Sequence, residues 1–256
     1  MNPGNPARFV EQFHLVFLVQ LGRRLDRRMF VLKGGCNFRF FHRSVRYSKD
    51  MDLDLADLEV TTLRDKTREI LESRPFAQIL EARGIRVDRV TEHKQTETET
   101  TQRWKLGLRV EGVGVPLPTK IEFSRRGLDE GIDFGSVDPS VARACQLTPL
   151  MLSHYGPPAA FRQKVRALAG RAETQARDVF DLHHLLTVGG TEGALAALDR
   201  GEAERASANA MAVDFGMFKS QVLSYLPPED QASFDSPSVW DTVVLEVVEA
   251  LRTATR

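Results

Sequence analysis

Strict alternation dominates residues 45–55: Met51, Leu53 and Leu55 are apolar, while Asp50, Asp52 and Asp54 between them are acidic. Successive side chains of a strand point to opposite faces, so the run predicts a half-buried strand with its carboxylates on one side. Upstream, the apolar run 29–32 is stopped by Lys33-Gly34-Gly35, which reads as a strand entering a tight turn. Residues 36–42 predict a short helix between the two strands. On this reading Arg46 and Ser48 alternate with Asp50 and share its face.

The surrounding pattern fixes the fold class. Residues 9–28 place Phe9, Phe13, Val16, Phe17, Leu21 and Leu25 at helical spacing, and Arg23, Arg24, Arg27 and Arg28 suit a helix C-terminus. Residues 61–83 predict one helix, with Thr61 or Thr62 as N-cap and Gly84 as its stop. Residues 85–90 predict a strand. The polar tract 91–102, without an aliphatic residue, predicts a mobile hairpin loop. Residues 104–110 alternate with Trp104 on the apolar face. Residues 119–124 give a further strand, with Ile121 and Phe123 on one side and Lys120, Glu122 and Ser124 on the other. Beyond Pro139 the character turns helical, at 149–154, 161–171, 175–187 and 240–252. The expectation is an α+β chain: a mixed sheet with flanking helices over residues 1–137, then an all-helical domain over 138–256.

With 256 residues and a formal net charge of zero, the overall balance says nothing about a polyanionic partner. The distribution is more telling. Nine Lys or Arg residues fall between Arg23 and Lys49 against Asp26 alone, and an acidic run follows at once. Such segregation sets an anion site beside a cation site. Cys36 and Cys145 fit neither a zinc spacing nor a disulfide framework. The longest apolar stretch, residues 15–21, is far below the roughly 20 residues of a membrane span, and the start lacks the apolar core of a signal peptide. A cytoplasmic location without membrane attachment is the expectation.

Two aspartates one residue apart on a strand turn their oxygens to one side and can share a hard dication such as Mg²⁺, which relieves their repulsion. Phosphoryl and nucleotidyl transfer use that arrangement, because metal charge neutralises the triphosphate and the leaving pyrophosphate. A glycine pair ahead of a helix lets backbone N–H groups approach phosphate oxygens. Taken alone, Asp-x-Asp is an ordinary solvated strand face and Gly-Gly an ordinary turn.

In sequence order, VLKGGCNFRFFHRSVRYSKDMDLDL combines a glycine doublet, a short helix and a strand with paired acids. That layout resembles the polymerase-β-like nucleotidyltransferases, and more narrowly the AbiEii/AbiGii toxin family. Residues 119–124 are similar to the strand that supplies the superfamily's third carboxylate, here Glu122. Lys164 and the run Arg177-Asp178-Val179-Phe180-Asp181-Leu182 are similar to the family's helical motif. The resemblance implies a minimal nucleotidyltransferase domain with catalytic Asp50, Asp52 and Glu122, and Asp50 and Asp52 as metal ligands for Mg²⁺ or Mn²⁺. It implies an NTP substrate held by Lys33, Gly34, Gly35, Arg46, Ser48, Lys164 and Asp178, in a cleft between the two domains. It further implies a toxin of a toxin–antitoxin or abortive-infection system, with a cognate antitoxin and an RNA acceptor, the 3′ end of tRNA. Transfer to a protein hydroxyl or a small molecule is the alternative, and a silent nucleotide-binding module a third.

The residues themselves leave several roles open. Lys33 either binds phosphate or solvates a turn; Arg46 is an anion clamp or a partner of the carboxylates. By spacing alone Lys164 is a surface lysine, and Asp54 a solvated strand residue. Asp178 and Asp181, three apart on a helix, either complement the dipole and pair with Arg171 and Arg177, or lie near the nucleotide. His183 and His184 point to different sides. Cys36, Phe38, Phe40, Phe41 and Trp104 read as core.

Overall fold

The computed structural model describes residues 5–93 and 100–253. They form two compact units, one made of the chain through Phe41 and Tyr47–His154, the other of His42–Arg46 and Tyr155 onward. The first unit runs α1 (Ala7–Leu21), β1 (Phe30–Lys33), α2 (Gly34–Phe41), β2 (Met51–Leu55), α3 (Val60–Leu71), α4 (Arg74–Glu81), β3 (Ile85–Glu92), β4 (Thr101–Val110), β5 (Leu117–Ser124), β6 (Ile132–Ser136), α5 (Pro139–Ala144) and β7 (Met151–Tyr155). Its strands form one mixed sheet in the order β3-β4-β5-β2-β1-β7-β6. Of the alternation read over residues 45–55, the part from Met51 to Leu55 is a strand, with Met51, Leu53 and Leu55 buried in the core with Ile121, Phe123 and Trp104. Phe13 and Phe17 of α1 meet Phe76 of α4 edge-on, with ring centroids 6.0 and 6.5 Å apart. Each such ring contributes about 1.5–3 kcal/mol by burial.

Four expectations are corrected. Helix α1 stops at Leu21 rather than running to residue 28; after Gly22 the Arg24 guanidinium folds back onto the Gln20 carbonyl at 3.2 Å, capping a terminal acceptor of the helix. Residues 61–83 form two helices. Ser73 accepts the Phe76 N–H at 3.2 Å and so caps a new helix, whose second residue is Pro75, a position where the missing proline N–H costs nothing. Residues 149–154 are not helical: Met151–Tyr155 is a strand parallel to β1, with Val31 opposite Ser153 and Leu32 opposite His154. A short apolar run satisfies either period, and the open side of β1 decides for the strand. Residues 45–50 lie outside β2, which starts at Met51.

Gly84 does end the helical segment, at φ +71°, where glycine meets little steric cost. Of the polar tract read as a hairpin loop, residues 94–99 lie outside the described residues; the flanking β3 and β4 pair antiparallel.

The second unit contains α6 (Pro157–Gly170), α7 (Ala176–Val188), α8 (Glu192–Ala196), α9 (Arg200–Met211), α10 (Phe215–Gln221), α11 (Pro228–Phe234) and α12 (Pro237–Thr253). Trp240 stacks on Phe218 at 4.4 Å and donates its indole N–H to the Val213 carbonyl at 3.0 Å. Phe180 packs against Phe218 and Phe234. A buried tryptophan with its one donor satisfied removes much apolar surface without stranding a polar atom.

Candidate active site

Strand register assembles the acids. Parallel pairing of β2 with β5 sets Asp52 opposite Glu122, and antiparallel pairing of β1 with β2 sets Lys33 opposite Asp52. Arg103 of β4 stands opposite Glu122. Neighbouring strands lie about 4.8 Å apart, so Arg103, Glu122, Asp52 and Lys33 form a row across one face of the sheet. Asp50 lies just ahead of β2, and Lys120 precedes Glu122 by two residues on the same face. The Lys120 ammonium draws the acids together: its Nζ is 3.1 Å from Glu122, 3.8 Å from Asp52 and 3.9 Å from Asp50. Arg103 Nε reaches the same Glu122 oxygen at 2.7 Å.

The two central acids feel opposite fields. Burial raises the Asp52 carboxyl above its usual value; Lys120 and Lys33 oppose that, and Glu122 and Asp50 add to it. Burial also pushes Glu122 upward, but Lys120 and Arg103 outweigh it and hold the group below the usual range. The row thus pairs a reluctant anion with a firmly ionised one.

Three carboxylates against Lys120 and Arg103 leave one uncompensated negative charge. All donors are hard oxygens, the set that Mg²⁺ or Mn²⁺ takes, and the residues fit such an ion chemically. Among the described residues no group of three Asp, Glu, His or Cys side chains is arranged to hold a metal ion.

Helix α2 starts directly beside Asp52. Gly34 has φ +63°, and a Cβ there would stand 3.2 Å from Asp52 Oδ2. Both the left-handed backbone and the close approach of the carboxylate therefore require glycine. The first-turn N–H groups of α2 lack acceptors within the helix, which gives this end a partial positive charge.

Beneath the acids lies a buried polar network that the sequence did not announce. Thr119 Oγ1 donates to the Lys49 carbonyl at 2.8 Å and contacts His14 Nε2 at 2.8 Å. Its single proton is spent on Lys49, so His14 Nε2 carries the hydrogen and donates. The lone pair of Nδ1 then faces Cys36 Sγ at 3.5 Å, and that sulfur lies 3.4 Å from the Asp50 carbonyl. Ser48 Oγ donates to the same carbonyl at 2.7 Å. Burial drives His14 down to about 3, which keeps the imidazole neutral, and raises the Cys36 thiol, as do Asp52 and other nearby carboxylates. The network thus fixes the backbone on which Asp50 is mounted.

Several candidate residues stand elsewhere than their spacing indicated. Asp54 is not solvated: it is 5% exposed and ion-paired with Lys33. Arg46 and Ser48 are not strand neighbours of Asp50, because the strand begins later. Arg46 belongs to the helical unit, where it forks onto Asp181 at 2.8–3.1 Å. Lys164 is no surface lysine. It is buried between Asp178 at 2.8 Å and Asp181 at 2.7 Å, with Arg171 2.9 Å from Asp178. Burial opposes the Asp181 charge, and Arg46 and Lys164 overcome it, leaving that carboxyl below its usual value.

Arg103, Lys120 and His14 went unassigned from the sequence. The alternation of β5 already sets Lys120 on the face of Glu122, a usable signal. Arg103 and His14 had none, since their partners lie 19 and 105 residues away.

Comparison with known proteins agrees with this architecture. The profile of the nucleotidyl transferase AbiEii toxin family, of type IV toxin–antitoxin systems, matches residues 16–243. The fold is similar to that of JHP933 from Helicobacter pylori, with TM-score 0.51, 16% identity, and 93% of this chain and 90% of the other covered. It is likewise similar to a "putative nucleotidyltransferase" from H. pylori, with TM-score 0.53, 16% identity and 93% of both chains covered. No curated protein matches the sequence significantly. Among the described residues no helix is long and apolar enough to cross a membrane. On the match over most of its length, together with a sheet that brings two aspartates and a glutamate to one face, the chain belongs to the AbiEii nucleotidyltransferase toxin family.

Proposed function

We propose that the chain transfers a nucleotide from an NTP to RNA, at the 3′ end of tRNA, in a reaction that needs Mg²⁺ or Mn²⁺. The observation that carries this is the gathering of Asp50, Asp52 and Glu122 within 3.9 Å of one cation. Family membership implies an NTP substrate and a cognate antitoxin. NTPs and tRNA meet in the cytoplasm, which is where we locate the reaction.

In this reading Asp50 and Asp52 would hold the dication, which would supply charge neutralisation for the triphosphate and acidity at the attacking hydroxyl. Glu122, ionised under Lys120 and Arg103, accepts the hydrogen bond of the acceptor hydroxyl and then its proton as the oxygen attacks the α-phosphorus and pyrophosphate leaves. The N–H groups at Gly34 and Gly35 would face phosphate oxygens, and a side chain at Gly34 would press on the Asp52 carboxylate beside them. Lys33 keeps the neighbouring Asp54 neutralised and supports the same phosphates, and Ser48 fixes the Asp50 carbonyl. Arg46, Lys164 and Asp178 remain candidate nucleotide ligands. Their ion pairing makes them groups that must exchange a partner before they bind.

Incubation of the protein with each α-labelled NTP, a divalent ion and total tRNA, protein extract or small hydroxylated acceptors tests the proposal. Label in tRNA, lost with Asp52→Ala, supports it. Label in the protein or small-molecule fraction moves the acceptor to the alternative class. Equal labelling by wild type and Asp52→Ala removes the acids from the chemistry.

A further inference from the structure

We propose that Lys120 is the resident counter-cation of the acid triad, keeping divalent-ion affinity low in the free protein so that the metal enters together with the NTP. The inference rests on Asp50 and Asp52 holding the metal, as proposed above. Its ground is geometric. One ammonium approaches a carboxylate from β2, another from the residue just before β2 and a third from β5, so it stands against both acids that would hold the dication.

Neighbouring cations are committed elsewhere in the row. Lys33 is paired with Asp54 and acts on Asp52 only as the smallest of the charges around it, and Arg103 is ion-paired with Glu122. Lys120 therefore sets the charge that an incoming ion meets. With its ammonium in place the three carboxylates, Lys120 and Arg103 sum to −1; with the ammonium withdrawn the sum is −2. Mg²⁺ holds oxygens at about 2.0–2.1 Å, so a dication taken up by Asp50 and Asp52 would compete with the ammonium for the same two carboxylates.

The exit is also built in. The Lys120 backbone is locked in β5 opposite Lys105 of β4, but its side chain is 26% exposed and has a flexible four-carbon stem. It can swing out without disturbing the sheet. Outside the triad a triphosphate offers the freed ammonium a new anionic partner. A bare metal ion offers none. Displacement is thus opposed for metal alone and compensated for metal arriving with nucleotide.

The test is titration of the purified full chain with Mn²⁺, read by electron paramagnetic resonance without nucleotide, for wild type, Lys120→Met, Asp52→Asn and the double variant. Loss of an ammonium this exposed is expected to tighten Mn²⁺ binding about fivefold to tenfold. That gap should narrow when a non-hydrolysable NTP is present, and Asp52→Asn should abolish binding in both backgrounds. Mn²⁺ affinity of Lys120→Met equal to or weaker than wild type, with the Asp52→Asn loss intact, overturns the inference alone. Retention of Mn²⁺ binding in Asp52→Asn overturns the metal-site reading as well. If Lys120→Met fails to fold by circular dichroism, Lys120→Gln is read by the same criteria.

Discussion

The sheet unit and the helical unit each gather Asp, Lys and Arg side chains into a cluster, and the two differ in burial and charge balance. In the helical unit Asp178 and Asp181 are wholly buried and are met by Lys164, Arg46 and Arg171, three cations for two anions. In the sheet unit Asp50, Asp52 and Glu122 are 21–31% exposed and meet two cations for three anions. Fully buried charges must be satisfied within the protein, because leaving one unpaired costs several kcal/mol. Partly exposed charges are satisfied in part by water, so they can stay unbalanced. The first arrangement is that of a structural clamp in the free protein, the second that of a binding surface.

The most severe test of this contrast is Asp181→Ala, which strands Arg46 and Lys164 in the interior. We expect about 3–5 kcal/mol of stability lost, seen as a large drop in the urea midpoint; a shift no greater than that of a surface substitution would erase the distinction. Asp52→Ala is its counterpart. Activity should fall at least about 10²–10³-fold, while the urea midpoint holds or rises, since Asp52 is desolvated beside two like charges. Clear destabilisation by Asp52→Ala would make the open cluster structural too.

The third prediction concerns the buried layer under the acids. His14 titrates near 6.5 when unfolded and near 3 when folded, so below pH 6.5 the unfolded chain binds a proton that the folded one refuses. Stability should therefore fall as pH drops from 6.5 toward 3, by about 1.4 kcal/mol per pH unit from this group. His14→Gln should flatten that part of the profile, and an unchanged slope in denaturation curves would remove His14 as its source. The smallest effect is expected from Gly34→Ala. A left-handed φ costs a side chain roughly 1–2 kcal/mol, and the Cβ presses on Asp52. Stability should drop modestly while NTP affinity drops further; loss of stability without loss of affinity would reduce Gly34 to a turn residue.

The face of Asp52 was legible because alternation is a local property of any strand over residues 51–55, whereas Asp50, read on the same strand, lies just ahead of it. The glycine turn, the buried Trp104 and the helical character of most of the later chain were legible for the same reason. The 149–154 segment was misread because its apolar run is too short to discriminate between periods, and strand β7 exists because β1 had a free side. Lys164 looked like a surface lysine because a helical repeat reports which residues are polar but not whether a polar residue has a buried partner.

What the sequence by itself determined, then, is which residues share a face and where the chain must turn, since steric period and glycine's backbone freedom act over a few residues. Only the tertiary structure decided that Asp52 stands opposite Glu122, that Lys33 is committed to Asp54, that Arg46 leaves the acids for Asp181, and that Lys120 sits among three carboxylates. Those pairings depend on which strands become neighbours and in what register. That choice is made by burial of the whole apolar face at once, and no window of sequence contains it.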